Sequence, residues 1–385
     1  MKRILILMTD EGGGGHRASA AALRDAFLER HTDQFVVSMV DLWSEYAPPP
    51  LNRVPKGYRF LVNDVPWLYR FMYEVGENPQ LVEPVMNAAA RFLRPFVSRA
   101  IRPHNPDLIV SVHPLVQGVT LPVLARMKRT VPFVTVVTDL VTMSPVWFDR
   151  RVTLCCVPSE EGYRLALRAG LRPEPLRQFG LPIRPEFSRL LGPKAEIRRA
   201  LGMAPEVPAA LIVSGGEGMG QVGSIARAVA ARLAAAAPEG AQPAGQVVVV
   251  CGRNQELQDE LQAYRWPVPA VVKGFVEDIW NWMAACDCII TKAGPGTIAE
   301  ALALGLPVLL SGYIPGQETG NVPYVLKHGV GVYAEDPWQI AEVVAGWFGP
   351  QRKILESMAA RARQLGRPEA AFEIVREIAS LLATE

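Results

Sequence analysis

A glycine cluster with a histidine at its end is the first feature of this chain that could perform chemistry. Residues 10–17 read Asp-Glu-Gly-Gly-Gly-Gly-His-Arg. Glycines let backbone amides approach the oxygens of a ligand, and a helix N-terminus attracts negative charge. Histidine side chains ordinarily titrate near neutral pH, which suits His16 to the role of a general base. The spacing is that of neither a P-loop nor the dinucleotide fingerprint, and the alternative is a tight turn in which His16 begins a helix.

A second and a third glycine-rich segment follow further along the chain, at residues 214–220 and 291–300. In the third, Gly294, Gly296 and Thr297 could offer amides and a hydroxyl to a phosphate at a helix N-terminus. Its alternative is a helix N-cap at Thr297 with a capping box completed by a glutamate three residues later, and the two interpretations are compatible.

Two polar features accompany these segments. Glu300 could accept hydrogen bonds from a sugar diol, and the adjacent amide and carboxylate of Gln317 and Glu318 suit a ligand rich in hydroxyl groups. Each is weak on its own.

Short apolar runs alternate with helical stretches and predict the elements that position these loops. Such runs indicate parallel strands buried on both faces, and therefore an α/β protein of two doubly wound domains. The loops would then follow the carboxyl ends of strands, where open α/β sheets bind ligands. The break is expected in residues 180–185, which hold two prolines. The predicted strands are residues 3–8, 35–40, 108–112, 133–138, 153–157, 210–213, 247–251, 271–274, 288–291 and 307–310.

Composition excludes several classes of protein. The 385 residues carry 40 Lys and Arg against 38 Asp and Glu, which argues against a nucleic-acid binder, and 49% are hydrophobic, which excludes a disordered chain. Residues 1–187 hold 23 basic and 18 acidic residues, and residues 188–385 hold 17 and 20, so the first half is the more basic one. Five cysteines without a CxxC pair suggest neither a zinc site nor a disulfide framework, and indicate a reducing compartment. No window of 18 apolar residues could span a bilayer.

Taken together, the ordered motifs resemble the monogalactosyldiacylglycerol synthase family of glycosyltransferases (family 28), related to the lipid-linked peptidoglycan GlcNAc transferase. The resemblance is nearly whole-length. It rests on residues 41–43, 111–114, 137–140, 158–161, 215–220, 251–254, 282–307 and 313–325.

The resemblance implies a GT-B fold, an α/β architecture in which two doubly wound Rossmann-like domains face a central cleft. Residues 1–182 would form the acceptor- and membrane-binding domain and residues 183–385 the UDP-sugar-binding domain. A final helix at about residues 368–384 would pack on the N-terminal domain.

Site residues are carried over by motif position. His16 is the expected catalytic base, with Asp139 and His113 as lesser candidates. The expected acceptor and membrane contacts are Gly13, Gly14, Gly15, Trp43, Tyr58, Trp67 and Tyr69. The expected donor-binding residues are Gly215, Gly216, Glu217, Gly218, Arg253, Phe275, Val276, Gly294, Pro295, Gly296, Thr297, Glu300, Gln317 and Glu318.

Two positions depart from the family pattern. The glycine loop is one residue longer than usual, and Ser144 stands where the family often has a histidine. No role of that histidine is carried over.

The implied reaction is inverting transfer of a hexose, galactose first, from a UDP-sugar to 1,2-diacylglycerol, giving a β-monoglycosyldiacylglycerol. The alternatives are a UDP-glucose:diacylglycerol glucosyltransferase, another lipid-acceptor GlcNAc transferase or, from a different class, a UDP-sugar epimerase or a non-catalytic UDP-binding module. The chain lacks an Asp-x-Asp metal motif, so neither a metal nor another cofactor is expected, and UDP-sugar is the donor substrate.

Membrane contact is expected from the segment between Trp43 and Tyr73, which holds eight of the 30 aromatic residues with basic residues interleaved. Trp and Tyr beside Lys and Arg suit an interface with anionic lipid, although aromatic residues often belong to a core. The expected location is cytoplasmic, peripherally attached to the inner face of a membrane. The sequence indicates no oligomeric state.

Overall fold

The computed structural model describes residues 1–9, 14–53, 57, 65, 67, 79–127, 130–189, 192–216, 221–238 and 242–383. It divides into two compact units. The first comprises residues 1–185, 314–318 and 369–385, and the second comprises residues 186–313 and 319–368. Within the described residues no helix is long and apolar enough to cross a membrane.

The first unit is built on a six-stranded sheet in the order β2-β1-β3-β4-β5-β6, in which all neighbouring strands are parallel. Leu5, Ile6 and Leu7 of its first strand are fully buried, as expected for a strand covered on both faces. Its strands are β1 (Lys2–Met8), β2 (Phe35–Asp41), β3 (Leu108–Ser111), β4 (Phe133–Val136), β5 (Leu154–Val157) and β6 (Leu176–Gln178).

Helices cover both faces of this sheet: α1 (Gly15–Arg30), α2 (Pro79–Ile101), α3 (Pro114–Arg126), α4 (Glu160–Arg168) and the last helix of the chain, Ala370–Ala383. That last helix packs its Ile374, Val375 and Ile378 into the same buried cluster as Leu23 and Phe27 of α1.

The second unit holds a parallel sheet in the order β12-β11-β10-β7-β8-β9. This is the strand order typical of Rossmann domains. The order switches direction between β7 and β10, because β8 lies on one side of β7 and β10 on its other side. Its strands are β7 (Ala209–Val213), β8 (Gln246–Val250), β9 (Ala270–Lys273), β10 (Cys288–Thr291), β11 (Val308–Leu310) and β12 (Gly331–Tyr333).

The helices of the second unit are α5 (Lys194–Ala200), α6 (Val222–Ala236), α7 (Gln255–Ala263), α8 (Ile279–Ala285), α9 (Pro295–Ala303), α10 (Asn321–Lys327), α11 (Pro337–Phe348) and α12 (Arg352–Leu365). The last helix of the chain, in the first unit, is α13. The two parallel sheets with their helices confirm the predicted pair of doubly wound α/β domains.

Candidate active site

Three neighbouring strands of the first unit deliver the side chains of its candidate site. Strand β2 lies on one side of β1 and strand β3 on its other side, so the strand order switches direction between β1 and β3. Ligands bind at such switch points, beyond the carboxyl ends of the strands. His16 follows β1, His113 follows β3 and Thr138 follows β4. The sheet order therefore brings together residues that are about a hundred positions apart in the chain.

His16 sits in the first turn of α1, whose N-cap is Gly14, two residues earlier; the φ of 72° at Gly14 is in the left-handed region that glycine adopts without strain. The Nδ1 atom of His16 lies 2.7 Å from the Thr138 hydroxyl oxygen, and that hydroxyl lies 3.2 Å from the Val112 carbonyl oxygen. Thr138 is buried and His16 is half-buried. The Thr138 hydroxyl thus anchors the His16 imidazole at Nδ1.

His113, one of the lesser candidates, forms the N-cap of α3. Its Nδ1 accepts a hydrogen bond of 3.2 Å from the Leu115 amide, and its buried ring meets the ring of His16 edge-on at 4.5 Å between centroids. A neutral imidazole that accepts at Nδ1 carries its proton on Nε2. In this arrangement His113 is suited to donate a proton rather than to accept one.

Asp139, the other lesser candidate, is buried and hydrogen-bonded through both carboxylate oxygens. Trp147 Nε1 donates to Oδ2 at 2.7 Å, and Gln317 Nε2 donates to Oδ1 at 3.3 Å. Gln317 belongs to residues 314–318, which the structure groups with the first unit. These bonds fix the carboxylate, which is the property of a positioning group.

Trp147 is a site residue that the sequence did not reveal. It is fully buried, and its ring centroid lies 6.2 Å from that of His16. Gln117 of α3 holds the turn that carries Trp147 by donating to the Val146 carbonyl at 2.7 Å. Trp147 and Asp139, which it contacts, are close in sequence. The place of Trp147 beside His16, however, depends on the packing of its turn against α3.

Glu318 was predicted to bind sugar hydroxyls, and the structure gives its carboxylate a second task. Its Oε2 accepts from the Ile314 amide at 2.8 Å, while its own amide donates to the Ile314 carbonyl at 3.0 Å. One oxygen of Glu318 therefore closes the loop that presents Gln317.

The second unit places its glycine segment after β7, at the end of the sheet where its strand order reverses. Gly215 has a φ of 65°, and the Arg253 amide donates to the Gly216 carbonyl at 2.8 Å. Gly252 approaches this carbonyl so closely that a Cβ there would lie 2.4 Å from the Gly216 oxygen. The glycine turn after β7 and the glycine turn after β8 are thus in direct backbone contact.

Arg253 and Phe275 lie beside the glycine turn, as the resemblance implied for nucleotide contacts. The Arg253 guanidinium lies 4.7 Å from the centroid of the Phe275 ring, which is 48% exposed. Val276 follows and is half-buried. An exposed ring under a cation offers a stacking surface to a planar base.

Lys292 is a second residue that the sequence did not reveal as a site residue. It follows β10, and its Cε lies 3.7 Å from the position a Cβ would take on Gly215. The lysine stem therefore runs along the glycine turn, between the ends of β7 and β10. Its position two residues before Gly294 was the available signal.

The predicted N-cap at Thr297 is wrong. Helix α9 begins at Pro295 and its N-cap is Gly294, with no side-chain cap. Proline fixes a helical φ and lacks an amide hydrogen, so it favours the first helical position, two residues before Thr297. The amides of Gly296 and Thr297 thus fall in the first turn, where the helix provides no acceptor, and Glu300 falls in the second turn.

The expected acceptor and membrane residues are spread over the first unit. Gly14 and Gly15 are exposed at the start of α1, and Trp67 is 69% exposed. The structure places the half-buried Trp43 against the hydrophobic core, with its indole nitrogen buried, and its role as a membrane contact stays a prediction. Gly13, Tyr58 and Tyr69, like Glu217 and Gly218 of the donor segment, lie outside the described residues.

The five cysteines are buried and unpaired, and none belongs to the candidate site. Burial raises the pKa of the Cys155 thiol to about 12 and that of Cys251 to about 11. Such thiols stay protonated at neutral pH and are poor nucleophiles. Neither of these two thiols is therefore suited to act as a nucleophile at neutral pH.

Comparison with known proteins assigns the chain to a family. The profile of the family "Monogalactosyldiacylglycerol (MGDG) synthase" matches residues 16–183, and that of "Glycosyltransferase family 28 C-terminal domain" matches residues 210–342. The chloroplastic monogalactosyldiacylglycerol synthase of Spinacia oleracea is 47% identical over 384 residues, which cover 99% of this chain and 73% of that protein. The chain belongs to the monogalactosyldiacylglycerol synthase family. It is a glycosyltransferase, as the sequence motifs predicted.

Solved structures establish the GT-B fold for this family member. MurG of Acinetobacter baumannii superposes with a TM-score of 0.59 at 16% identity, covering 99% of this chain and all of that one. The UDP-GlcNAc 2-epimerase of Neisseria meningitidis, bound to UDP-GlcNAc, gives 0.57 at 15% identity, covering 99% of this chain and all of that one. Likeness at this level of identity concerns the fold alone.

Proposed function

We propose that the chain transfers galactose from UDP-galactose to 1,2-diacylglycerol with inversion, producing β-monogalactosyldiacylglycerol and UDP. The observation that carries this proposal is the 47% identity, over 99% of the chain, to a plant enzyme named for that product. The geometry of the two units supplies the groups that such a reaction needs.

His16 is the general base of the proposed reaction. The acceptor hydroxyl oxygen forms a bond to the anomeric carbon, while the bond from that carbon to the diphosphate oxygen breaks and its electron pair leaves with UDP. The hydroxyl proton passes to the imidazole of His16. A positioned base of this kind contributes about 10²–10⁴-fold to the rate.

UDP is proposed to bind in the second unit. Arg253 and Phe275 offer a cation and an exposed ring to the nucleotide, and the amides of Gly296 and Thr297 at the start of α9 face negative charge favourably. Lys292 adds a positive charge beside the glycine turn. As the bond to the sugar breaks, charge grows on the diphosphate, and these preorganised donors stabilise it.

The membrane is proposed to be met by the first unit, with the protein attached peripherally at the cytoplasmic, inner face. Trp67 is exposed, and so are Val85 (65%) and Phe92 (60%) on α2, next to Arg91 and Arg99. Apolar side chains beside arginines suit a surface of anionic lipid. Flotation with vesicles, with and without anionic lipid, tests this proposal, and equal flotation of a variant lacking residues 48–75 would remove that segment from the contact.

The reaction is tested with purified protein, radiolabelled UDP-sugars and diacylglycerol vesicles. We expect a β-linked galactolipid from UDP-galactose, and turnover reduced by about 10²–10⁴-fold in His16→Ala with UDP affinity kept within twofold. Preferred use of UDP-glucose would identify a glucosyltransferase, since the two sugars differ at one stereocentre. Conversion of the UDP-sugar without lipid would identify an epimerase, and UDP binding without either reaction would identify a binding module.

A further inference from the structure

The Thr138 hydroxyl contacts Nδ1 of the His16 ring, and the single proton of that hydroxyl bears on how the ring is protonated. A threonine hydroxyl carries one proton and can accept as well as donate. A backbone carbonyl can only accept. The Thr138 oxygen lies 3.2 Å from the Val112 carbonyl oxygen with donor geometry, and that contact is a hydrogen bond only when Thr138 donates its single proton to the carbonyl.

The contact with His16 then has only one possible direction. The Thr138 oxygen must accept, and His16 Nδ1, 2.7 Å away, must donate. In the neutral ring, one nitrogen carries the proton and the other carries the lone pair. The lone pair of neutral His16 is therefore on Nε2.

We propose that Thr138 is a positioning residue for catalysis, which fixes His16 in the Nδ1–H tautomer so that Nε2 is the basic atom. The assignment rests on the proposed role of His16 as general base. It adds the identity of the basic nitrogen and of the residue that selects it. On the other side of Thr138, its hydroxyl contacts the neutral carbonyl of Val112.

The surroundings of the ring agree with this assignment. The His16 ring also meets the ring of His113, whose Nδ1 accepts from the Leu115 amide. The Asp139 carboxylate accepts hydrogen bonds from Trp147 and Gln317. Thr138 is buried at 5% exposure, so water does not compete readily for its hydroxyl.

The first test reads the tautomer directly in the unmodified protein. Nitrogen NMR of histidine-labelled protein distinguishes protonated from unprotonated ring nitrogens, and His16 is assigned among the five histidines by its absence in His16→Gln. We expect a protonated Nδ1 and an unprotonated Nε2 in the neutral ring. The opposite tautomer in the unmodified protein would overturn the proposal, and this measurement requires no activity.

The second test separates the hydroxyl from the shape of the side chain. Thr138→Val should lower kcat by about 10-fold, the effect of losing one hydrogen bond that selects the reactive form, and should populate the Nε2–H tautomer. Thr138→Ser keeps the hydroxyl and should restore both readouts. UDP affinity should stay within twofold in all variants, because the donor groups are elsewhere.

Thr135→Val is the matched control. Thr135 lies on β4 three residues before Thr138 and is fully buried, and its hydroxyl oxygen has no hydrogen-bond partner among the residues that the structure describes. Its replacement should leave kcat and the His16 tautomer unchanged. If Thr138→Val behaves like Thr135→Val in both readouts, Thr138 has no positioning role. If the unmodified protein shows no transfer to lipid, the proposed function fails, and the NMR spectra alone decide on Thr138.

Discussion

Replacing Gly252 with alanine tests whether the donor site depends on the contact between the turns after β7 and β8. Gly252 has a φ of 60°, which costs an L-residue about 1–2 kcal/mol. The new Cβ would lie 2.4 Å from the Gly216 carbonyl oxygen. Carbon–oxygen contacts are normally at about 3.3 Å, so this carbonyl must withdraw by roughly 0.9 Å.

That displacement moves the backbone of the glycine turn, including the carbonyl to which the Arg253 amide donates. A shift of about 1 Å in a preorganised site can cost about 100-fold. We therefore expect Gly252→Ala to weaken UDP binding by about 10- to 100-fold, measured by isothermal titration calorimetry.

Gly202→Ala is the control for backbone strain alone. Gly202 has a φ of 73°, and a Cβ there would meet nothing within 4 Å. It should lower the melting temperature by about 2–8 °C, the effect of 1–2 kcal/mol in a domain of this size, and leave UDP affinity unchanged. A UDP affinity of Gly252→Ala within twofold of that of Gly202→Ala would refute the reasoning, because the close approach to Gly216 would then not support the donor site.

Three further predictions concern the two units. Lys292→Met should reduce kcat by about 10- to 100-fold with UDP-galactose and diacylglycerol, since a charge-assisted contact to the leaving diphosphate is lost, and Lys292→Arg should retain more activity; equal rates for both variants and the unmodified enzyme would contradict this. Arg198→Met should destabilise the second unit by about 1.5–3 kcal/mol in urea unfolding, because it removes the 2.6 Å charge-assisted bond from buried Arg198 to the half-buried Asp287, which keeps its contact with Lys194. The raised pKa values of Cys155 and Cys251 predict that these thiols resist labelling in the native state at pH 8. The contribution of the two protonated thiols to the free energy of unfolding is fully present below about pH 9 and is lost as the pH rises through 11 and 12, because the thiols of the unfolded chain release their protons at lower pH than those of the folded chain. Fast labelling of these thiols in the native protein at pH 8 would contradict the prediction.

The sequence predicted ten strands that the structure confirms, and it missed two for an identifiable reason. Strands β6 (Leu176–Gln178) and β12 (Gly331–Tyr333) have three residues each and lie at sheet edges. Apolar runs reveal strands that are buried on both faces, whereas a short edge strand needs only one pairing partner and carries no such run. The buried central strands were therefore predictable, and these edges were not.

The candidate site was predictable at its loops and not in its hydrogen bonds. Glycine clusters after apolar runs indicated the turns after β1, β7 and β10. The contact between His16 and Thr138 joins residues 122 positions apart, and it exists because β1, β3 and β4 are neighbours in the sheet. Trp147 has no local signature either, because its role depends on the packing of its turn against α3. Pairings of this kind follow from tertiary structure, which one sequence does not display.

The side chains of the two units distinguish a glycosyltransferase from other enzymes more sharply than the fold does, since solved proteins of this fold include an epimerase. Transfer to a hydroxyl acceptor needs a base for the acceptor and a cationic site for the leaving nucleotide. The ends of β1, β3 and β4 carry an imidazole anchored to Thr138, whereas the ends of β7, β8 and β10 carry Arg253, Lys292 and glycine turns. Base and cations thus lie on different sheets, so substitution of His16 should lower turnover and spare nucleotide affinity, whereas substitution of Arg253 should lower nucleotide affinity. Function in this fold is determined by the side chains at the carboxyl ends of the strands.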